Sequence, residues 1–166
     1  MNEALCFDLG DTLISEETVN HDSYRRAITA NVIESTFEVL RKLTKAGYKV
    51  AHIANDEDAV GARNILANTG LKEYFDTIVI SGELGIEKPD RRIFEAALKA
   101  LGVKAEDAVM IGNRVDTDIV GANRSGMVSV WFKWNNRYPA LIDACEKKPD
   151  FTMCSLFELP KVLGLS

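Results

Sequence analysis

The most informative stretch of this sequence is Cys6-Phe7-Asp8-Leu9-Gly10-Asp11-Thr12-Leu13. It starts within a short apolar run, Ala4 to Phe7, which predicts a buried strand that ends at a carboxylate. A carboxylate at that point can attack an electrophile and form an ester or an acyl phosphate, so that one difficult displacement becomes two easier ones. Gly10 permits the tight turn that such a site needs. The alternative is that Asp8 only caps the strand and that Asp11-Thr12 is an ordinary turn.

Apolar runs alternate with helical patterns along the rest of the chain. Further strands are predicted at Tyr48 to Ala54, Thr77 to Ile80, Ala108 to Ile111 and Met127 to Phe132, and helices at Glu34 to Ala46, Asp58 to Asn68, Pro89 to Leu101 and Asp116 to Ser125. Because strands separated by helices form βαβ units, we expect a single α/β domain over residues 1–166, with a Rossmann-like, doubly wound parallel sheet in three α/β/α layers. Three further helices are predicted, near Tyr24 to Thr29, Ala140 to Cys145 and Leu156 to Leu163.

In a sheet of this kind, ligands bind beyond the carboxyl ends of the strands. The segments that follow strands are Asp8 to Thr12, Asn55 to Asp56, Ser81 to Lys88, Gly112 to Asp118 and Lys133 to Asn136. Lys88 precedes a helix that begins with Pro89 and can reach into the crevice to neutralise an anion, although a solvated lysine is the ordinary alternative. Polar groups at Asn113 and Asp118 could hold a divalent cation or orient a lysine, although Asp118 could equally complement a helix dipole.

The overall composition narrows the class of protein. A formal net charge of −5 at pH 7 argues against non-specific binding to nucleic acid or to an anionic membrane, since both require a basic surface. No apolar run is long enough to span a bilayer. Three cysteines without framework spacing and only two histidines suggest a reducing compartment and no zinc site, so we expect a cytoplasmic protein.

Taken together, the order and spacing of these segments resemble the haloacid dehalogenase (HAD) superfamily of aspartate-nucleophile hydrolases. The resemblance runs from Ala4 to about Trp131 and includes the phrase Ile80-Ser81-Gly82-Glu83-Leu84-Gly85-Ile86-Glu87-Lys88-Pro89-Asp90. It implies three catalytic residues: Asp8 as the nucleophile, Lys88 as the stabiliser of its charge, and Asp118 as the residue that orients the lysine. It also implies a Mg²⁺ site made by Asp8, the backbone carbonyl of Gly10, and Asn113.

Some positions depart from the pattern of active phosphatases in this family. Gly10 stands where a second aspartate acts as general acid and base, a loss that typically costs about 10²–10⁴-fold in rate, and Asp11 lies one residue too late. Ala54 replaces the hydroxyl residue that contacts the phosphoryl group, and Asn55 remains as an amide donor. Ala54, Asn55 and Asp11 are therefore the expected substrate-binding residues. Asn113 replaces a carboxylate, and because Mg²⁺ prefers charged ligands its affinity should fall.

The resemblance also bears on what covers the site. In capped relatives a helical insert of many tens of residues follows the first motif, whereas only residues 14–33 are available here before the helix predicted at Glu34. We therefore expect a HAD-like core with no cap domain and a short flap at about 14–33. Relatives without a cap tend to act on large substrates, or a neighbouring subunit covers their site. A homo-oligomer is therefore one alternative for this chain.

Three functions follow from the resemblance. The first is a Mg²⁺-dependent phosphatase of low or unusual activity that acts on a small phosphorylated or anionic substrate. The second is a catalytically impaired HAD scaffold for ligand or protein binding, suggested by Gly10, Ala54 and Asn113. The third is a metal-independent, carbon-centred hydrolase, because the dehalogenases lack an acid at the Gly10 position and pair an asparagine with an aspartate in the fourth motif.

Overall fold

The computed structural model describes residues 2–135 and 137–165, so Asn136, at the end of one of the strand-end segments, lies outside the described residues. The strands are β1 Ala4–Phe7, β2 Asn20–His21, β3 Ala27–Thr29, β4 Lys49–Ala54, β5 Thr77–Ile80, β6 Ala108–Gly112, β7 Val128–Phe132 and β8 Phe151–Met153. The α-helices are α1 Thr36–Lys45, α2 Ala59–Thr69, α3 Ser81–Leu84, α4 Arg91–Leu101, α5 Val120–Ser125 and α6 Leu159–Val162. None of the helices in the described ranges is both long and apolar enough to cross a membrane.

Six of these strands form one parallel sheet in the order β5-β4-β1-β6-β7-β8. In β1, Phe7 pairs with His52 of β4 on one side and with Ile111 of β6 on the other. The strand order therefore reverses around β1, and a crevice opens beyond the carboxyl end of the strand at such a reversal. The doubly wound parallel sheet predicted from the sequence is confirmed.

Alternate residues of the central strands enter two separate cores, as the two-residue period of a strand requires. Leu5 and Phe7 pack on one face of the sheet together with buried residues of α1, α2 and α6. Ala4 and Cys6 pack on the other face together with α4 and α5. Helices thus cover both faces, and the predicted three-layer arrangement is present.

The chain departs from the predicted elements most clearly in two places. The helix predicted near Ala140 to Cys145 is wrong, because that segment is irregular up to a short 3₁₀ turn at Cys145–Lys147, and the strand that follows, β8, was not predicted. The short helix predicted at Tyr24 to Thr29 is also wrong. Its apolar residues belong instead to β3, which pairs antiparallel with β2.

The segment at residues 14–33, which we call the flap, is ordered by hydrogen bonds to the core. It contains a 3₁₀ turn at Glu16–Thr18 and the β2–β3 hairpin. The side-chain amides of Asn64 and Asn68, both on α2, donate to backbone carbonyls of β3 over 3.4 and 2.9 Å. These bonds hold the hairpin against α2, so that the flap has a defined position beside the end of β1.

One buried group near the end of β1 should make the stability of the fold depend on pH. His52 is fully buried, its Nδ1 lies 3.0 Å from the carbonyl of Phe7, and burial lowers the pKa of His52 to about 4. In the unfolded chain the imidazole titrates near its ordinary pKa of about 6.5. As the pH falls from about 6.5 to 4, His52 binds a proton in the unfolded state but not in the folded state, so the free energy of unfolding decreases.

We predict that this single group lowers the free energy of unfolding by up to about 3 kcal/mol between pH 7 and pH 4. Urea unfolding of the native chain and of the His52→Gln variant at several pH values measures the effect. The stability difference between the two proteins should shrink as the pH falls, because the variant lacks the titrating group. A difference that stays constant across this range would contradict the assignment.

Candidate active site

The candidate site lies at the carboxyl ends of the three central strands. Asp8 follows β1, Asn55 follows β4, and Asn113 follows β6. These residues line a cavity of about 480 Å³ whose outer wall is formed by the flap. The parallel sheet brings together side chains that are far apart in the sequence, because the ends of adjacent parallel strands lie at the same edge.

The buried lysine predicted to stabilise the nucleophile is at the centre of this site. Its ammonium nitrogen, Lys88 Nζ, lies 2.7 Å from Asp8 Oδ1 and 2.8 Å from Asp118 Oδ1. It also donates to the backbone carbonyl of Ile53 over 2.8 Å. Lys88 is only 2% exposed, so its positive charge is balanced almost entirely by these oxygens. The structure thus brings together the three residues that the sequence suggested as catalytic.

The electrostatics of this triad favour a charged lysine. Burial is the largest influence on the pKa of Lys88 and lowers it, but the charges of Asp118 and Asp8 and the hydrogen bonds to them together outweigh burial and raise the pKa above its ordinary value. Burial raises the pKa of Asp118 to about 6, and the Lys88 ammonium opposes that shift. The ammonium group of Lys88 is thus shared between Asp118 and Asp8.

A short turn with an unusual hydrogen-bonding pattern places Asp118 in the site. The helix predicted at Asp116 to Ser125 begins as a π-helical turn at Val115–Ile119, a conformation that often occurs at functional sites. The backbone amide of Arg114 donates to Asp118 Oδ2 over 3.0 Å. A Cβ atom on Gly112 would lie 2.2 Å from that same oxygen, so only glycine allows the carboxylate to approach the end of β6.

The side chain of Asn55 holds the loop that carries the lysine. Its amide nitrogen donates to the carbonyl of Lys88 over 2.9 Å, and its amide oxygen accepts from the backbone amide of Lys88 over 2.7 Å. Asn55 and Ala54 both line the cavity, as the sequence predicted, but the amide of Asn55 is engaged in positioning Lys88. Contact of either residue with a substrate stays a prediction.

Three oxygen atoms near the end of β1 fit the predicted Mg²⁺ site. In one orientation of the Asn113 amide, its oxygen lies 3.2 Å from the carbonyl of Gly10 and 3.3 Å from Asp8 Oδ2; in the other, its nitrogen donates to both oxygens. Neighbouring ligands of octahedral Mg²⁺ are about 2.9 Å apart, so the first orientation suits a bound cation. Asp8 is the one charged ligand of this set, and no group of three or more acidic, histidine or cysteine side chains suited to a metal occurs within residues 2–135 and 137–165.

The carboxylate of Asp11 is directed away from the cavity. Asp11 has a left-handed backbone conformation, with a φ of 51°, and its side chain is fully buried. Its two oxygens lie 2.6 Å from Arg137 Nε and 3.0 Å from the backbone amide of Glu16, and its carbonyl accepts from Trp134 Nε1 over 2.8 Å. Asp11 does not line the cavity, and in this geometry it joins the first loop to the segment after β7.

Several cavity residues were not singled out from the sequence. Glu16 and Arg25 of the flap and Tyr138 of the segment after β7 all line the cavity. The Tyr138 hydroxyl donates to the Glu16 carboxylate, with oxygen–oxygen distances of 2.9 and 3.0 Å, across 122 positions of sequence. Glu16 lies in a short 3₁₀ turn and Tyr138 in an irregular segment, and neither segment carries a periodicity or a motif that would have placed these side chains in the cavity.

We predict that Lys88→Met lowers the free energy of unfolding by about 3–5 kcal/mol, because it leaves the buried carboxylate of Asp118 and the partly buried carboxylate of Asp8 without a counter-charge. Lys45→Met, on the exposed face of α1, is the matched control and should change stability by less than about 0.5 kcal/mol. Urea unfolding near pH 7 measures both variants. Equal stability of the two variants would mean that Lys88 does not neutralise Asp8 and Asp118.

This chain is similar to several known phosphatases. A glyceraldehyde 3-phosphate phosphatase from Pyrococcus furiosus is 35% identical over 126 residues, which cover 76% of this chain and 52% of that protein. A phosphoserine phosphatase from Thermus thermophilus is 45% identical over 69 residues, 42% of this chain and 28% of that protein. The crystal structure of a HAD phosphatase from Thermococcus onnurineus matches with a TM-score of 0.72 and 30% identity over 81% of this chain and 59% of that one.

This chain spans about half the length or less of the first curated relatives that it matches. The model of the haloacid dehalogenase-like hydrolase family matches residues 25–126, more than half of the chain. With a parallel sheet of the expected order and a lysine between two aspartates at its edge, the chain belongs to the haloacid dehalogenase-like hydrolase family.

Proposed function

We propose that this chain hydrolyses small phosphate esters through an aspartyl-phosphate at Asp8, with Mg²⁺ as cofactor and with low activity. The observation that carries the proposal is the position of the Asp8 carboxylate. One of its oxygens is held by Lys88 at 2.7 Å, and the other lies beside the Asn113 amide at the wall of the cavity. A carboxylate that is oriented by one oxygen and open at the other is suited to nucleophilic attack.

The charge balance of the site supports a divalent cation. Asp8 and Asp118 carry two negative charges and Lys88 carries one positive charge, which leaves the centre with a net negative charge. An anionic phosphate group would be repelled by such a centre unless a cation joined it. Asp8, the Gly10 carbonyl and Asn113 would hold Mg²⁺, which when bound neutralises charge on the transferring phosphoryl group.

The proposed reaction has two displacements at phosphorus. In the first, an oxygen of Asp8 forms a bond to phosphorus, the bond to the ester oxygen breaks, and the leaving oxygen takes the electron pair and a proton from an acid in the site or from water. In the second, water attacks phosphorus, the bond to Asp8 breaks, and phosphate and the free carboxylate result. Lys88 balances charge on Asp8 in both steps, and Asp118 keeps the lysine in place.

The lining of the cavity supports a low rate and a small substrate. Ala54 offers no hydroxyl to the phosphoryl group, and Asn113 adds no charge to the metal site. A cavity of about 480 Å³ lies within the range for small-molecule sites. The relatives named as phosphatases of glyceraldehyde 3-phosphate and of phosphoserine suggest a small phosphorylated metabolite as the class of substrate.

We predict that the native chain hydrolyses 4-nitrophenyl phosphate in the presence of Mg²⁺ and that Asp8→Asn reduces the rate to background, since an amide oxygen is a poor nucleophile. Asp107→Asn is the control, because Asp107 precedes β6 at the opposite edge of the sheet, and it should retain the native rate. Release of 4-nitrophenolate measures turnover.

The alternatives make different predictions in the same assay. If the native chain is no faster than Asp8→Asn, the chain is a binding scaffold and the proposal fails. If turnover depends on Asp8 but survives complete chelation of metal, a metal-independent reaction at Asp8 replaces the proposed one.

A further prediction concerns the metal site. Asn113→Asp gives the site a second charged ligand, so the Mg²⁺ concentration for half-maximal activity should fall by about tenfold or more, since a gain of only 1.4 kcal/mol is tenfold. Mg²⁺ should also raise the melting temperature of this variant more than that of the native chain. Asn31→Asp, at an exposed position of the flap, is the control. Equal Mg²⁺ dependence in all three proteins would exclude Asn113 from the metal site.

A further inference from the structure

The carboxyl group of Glu16, in the flap, lies next to the position of Gly10, which has no side chain. A Cβ atom built on Gly10 would lie 3.4 Å from Glu16 Oε2 and 3.6 Å from the carboxyl carbon of Glu16, which are ordinary contact distances. Glu16 and Gly10 both line the cavity that holds Asp8. The carboxyl group of Glu16 therefore lies against the position that a side chain at residue 10 would occupy.

The other carboxylates that line the cavity are already engaged. Asp8 and Asp118 bind the Lys88 ammonium. Asp56 and Asp58 each accept from a backbone amide at the start of α2, over 2.8 and 3.0 Å. Among the cavity-lining acids in the described part of the chain, Glu16 is the one whose carboxylate has neither a cation nor a backbone amide as partner.

A hydroxyl group holds the Glu16 carboxylate in position. Tyr138 Oη lies 2.9 and 3.0 Å from its two oxygens. The ring of Tyr138 stacks under the guanidinium of Arg114, 4.7 Å from the ring centroid, and Arg114 is in turn bound to Asp116 over 2.7 Å. Glu16 thus has a defined direction although it lies in a short 3₁₀ turn, and its partner is an uncharged donor that does not neutralise the carboxylate.

We propose that Glu16 is the proton donor and acceptor for phosphoryl transfer through Asp8, a role that rests on the function proposed above. In the first displacement, the Glu16 carboxyl gives its proton to the ester oxygen as that oxygen leaves phosphorus with the bonding electron pair. In the second, the Glu16 carboxylate takes a proton from the water that attacks phosphorus while the bond to Asp8 breaks. The acid is restored at the end of the cycle, and no other reactant is needed.

The chemistry of the leaving group gives the sharpest test. An alkoxide is a strong base and needs a proton as it leaves, whereas 4-nitrophenolate leaves readily without one. The parameter kcat/KM reports the steps up to phosphoryl transfer to Asp8, so the second displacement does not affect it. We predict that Glu16→Gln lowers kcat/KM for glycerol 3-phosphate by about 10²–10⁴-fold, and for 4-nitrophenyl phosphate by less than about tenfold.

The neighbouring residue supplies a matched control. Glu17 belongs to the same 3₁₀ turn, but its carboxylate points to Arg137, 3.1 Å away, and it does not line the cavity. Glu17→Gln should therefore leave kcat/KM for both substrates unchanged within about twofold. A similar loss in both variants would show that the flap is merely disturbed, and would overturn the proposal.

A rescue experiment separates proton transfer from a structural role. In the Glu16→Gln background, Gly10→Asp places a new carboxyl group beside the lost one, and it should restore at least about a tenth of the native kcat/KM for glycerol 3-phosphate. If Gly10→Asp restores no activity to the Glu16→Gln variant, or if Glu16→Gln lowers kcat/KM equally for the two substrates, Glu16 is not the proton donor. If kcat/KM of Glu16→Gln equals that of the native chain while Asp8→Asn is at background, Glu16 is excluded as the proton donor and the proposed function stands. If kcat/KM of the native chain itself is at background, the role of Glu16 and the proposed function both fail.

Discussion

The ammonium group of Lys88 lies between two carboxylates with almost no contact with water, and much of the surrounding structure keeps it there. The ammonium nitrogen lies 2.7 Å from Asp8 and 2.8 Å from Asp118. The side chain of Asn55 forms hydrogen bonds with both the backbone amide and the backbone carbonyl of Lys88. A buried charge of this kind is tolerated only when its partners are fixed, since the loss of one partner leaves the others uncompensated. The loops at this edge of the sheet are therefore constrained by electrostatics as much as by packing.

The site divides into a rigid part and a part carried by irregular segments. Asp8, Asn55 and Asn113 directly follow strands whose residues are almost completely buried, so their positions are set by the two cores on either side of the sheet. Glu16 and Tyr138 come from the flap and from the segment after β7, which are joined to each other through Asp11 and Arg137. We infer that the sheet sets where phosphorus must lie, while the irregular segments set which leaving groups are protonated.

The sequence predicted the rigid part well and the irregular part poorly, for physical reasons. Asp8 was identifiable because it directly follows a strongly apolar strand, whereas Lys88 and Asp118 were identified from the order and spacing of motifs that resemble the family. The prediction of a helix near Ala140 to Cys145 was wrong, because most apolar residues of that segment are exposed and do not form the buried face of a helix. The contact of Glu16 with Tyr138 could not be foreseen, since it depends on the path of two loops that no local pattern determines. Asp11 shows the same limit, because its left-handed backbone directs a plausible acid away from the cavity.

If Asp8 is the nucleophile, the phosphoryl group passes through a covalent bond to Asp8. The stereochemical course at phosphorus tests it most directly, with an isotopically chiral phosphorothioate ester hydrolysed by the native chain in isotopically labelled water. Each in-line displacement inverts phosphorus, so two displacements through Asp8 predict net retention of configuration in the released thiophosphate. Net inversion would mean a single direct attack by water and would contradict the account.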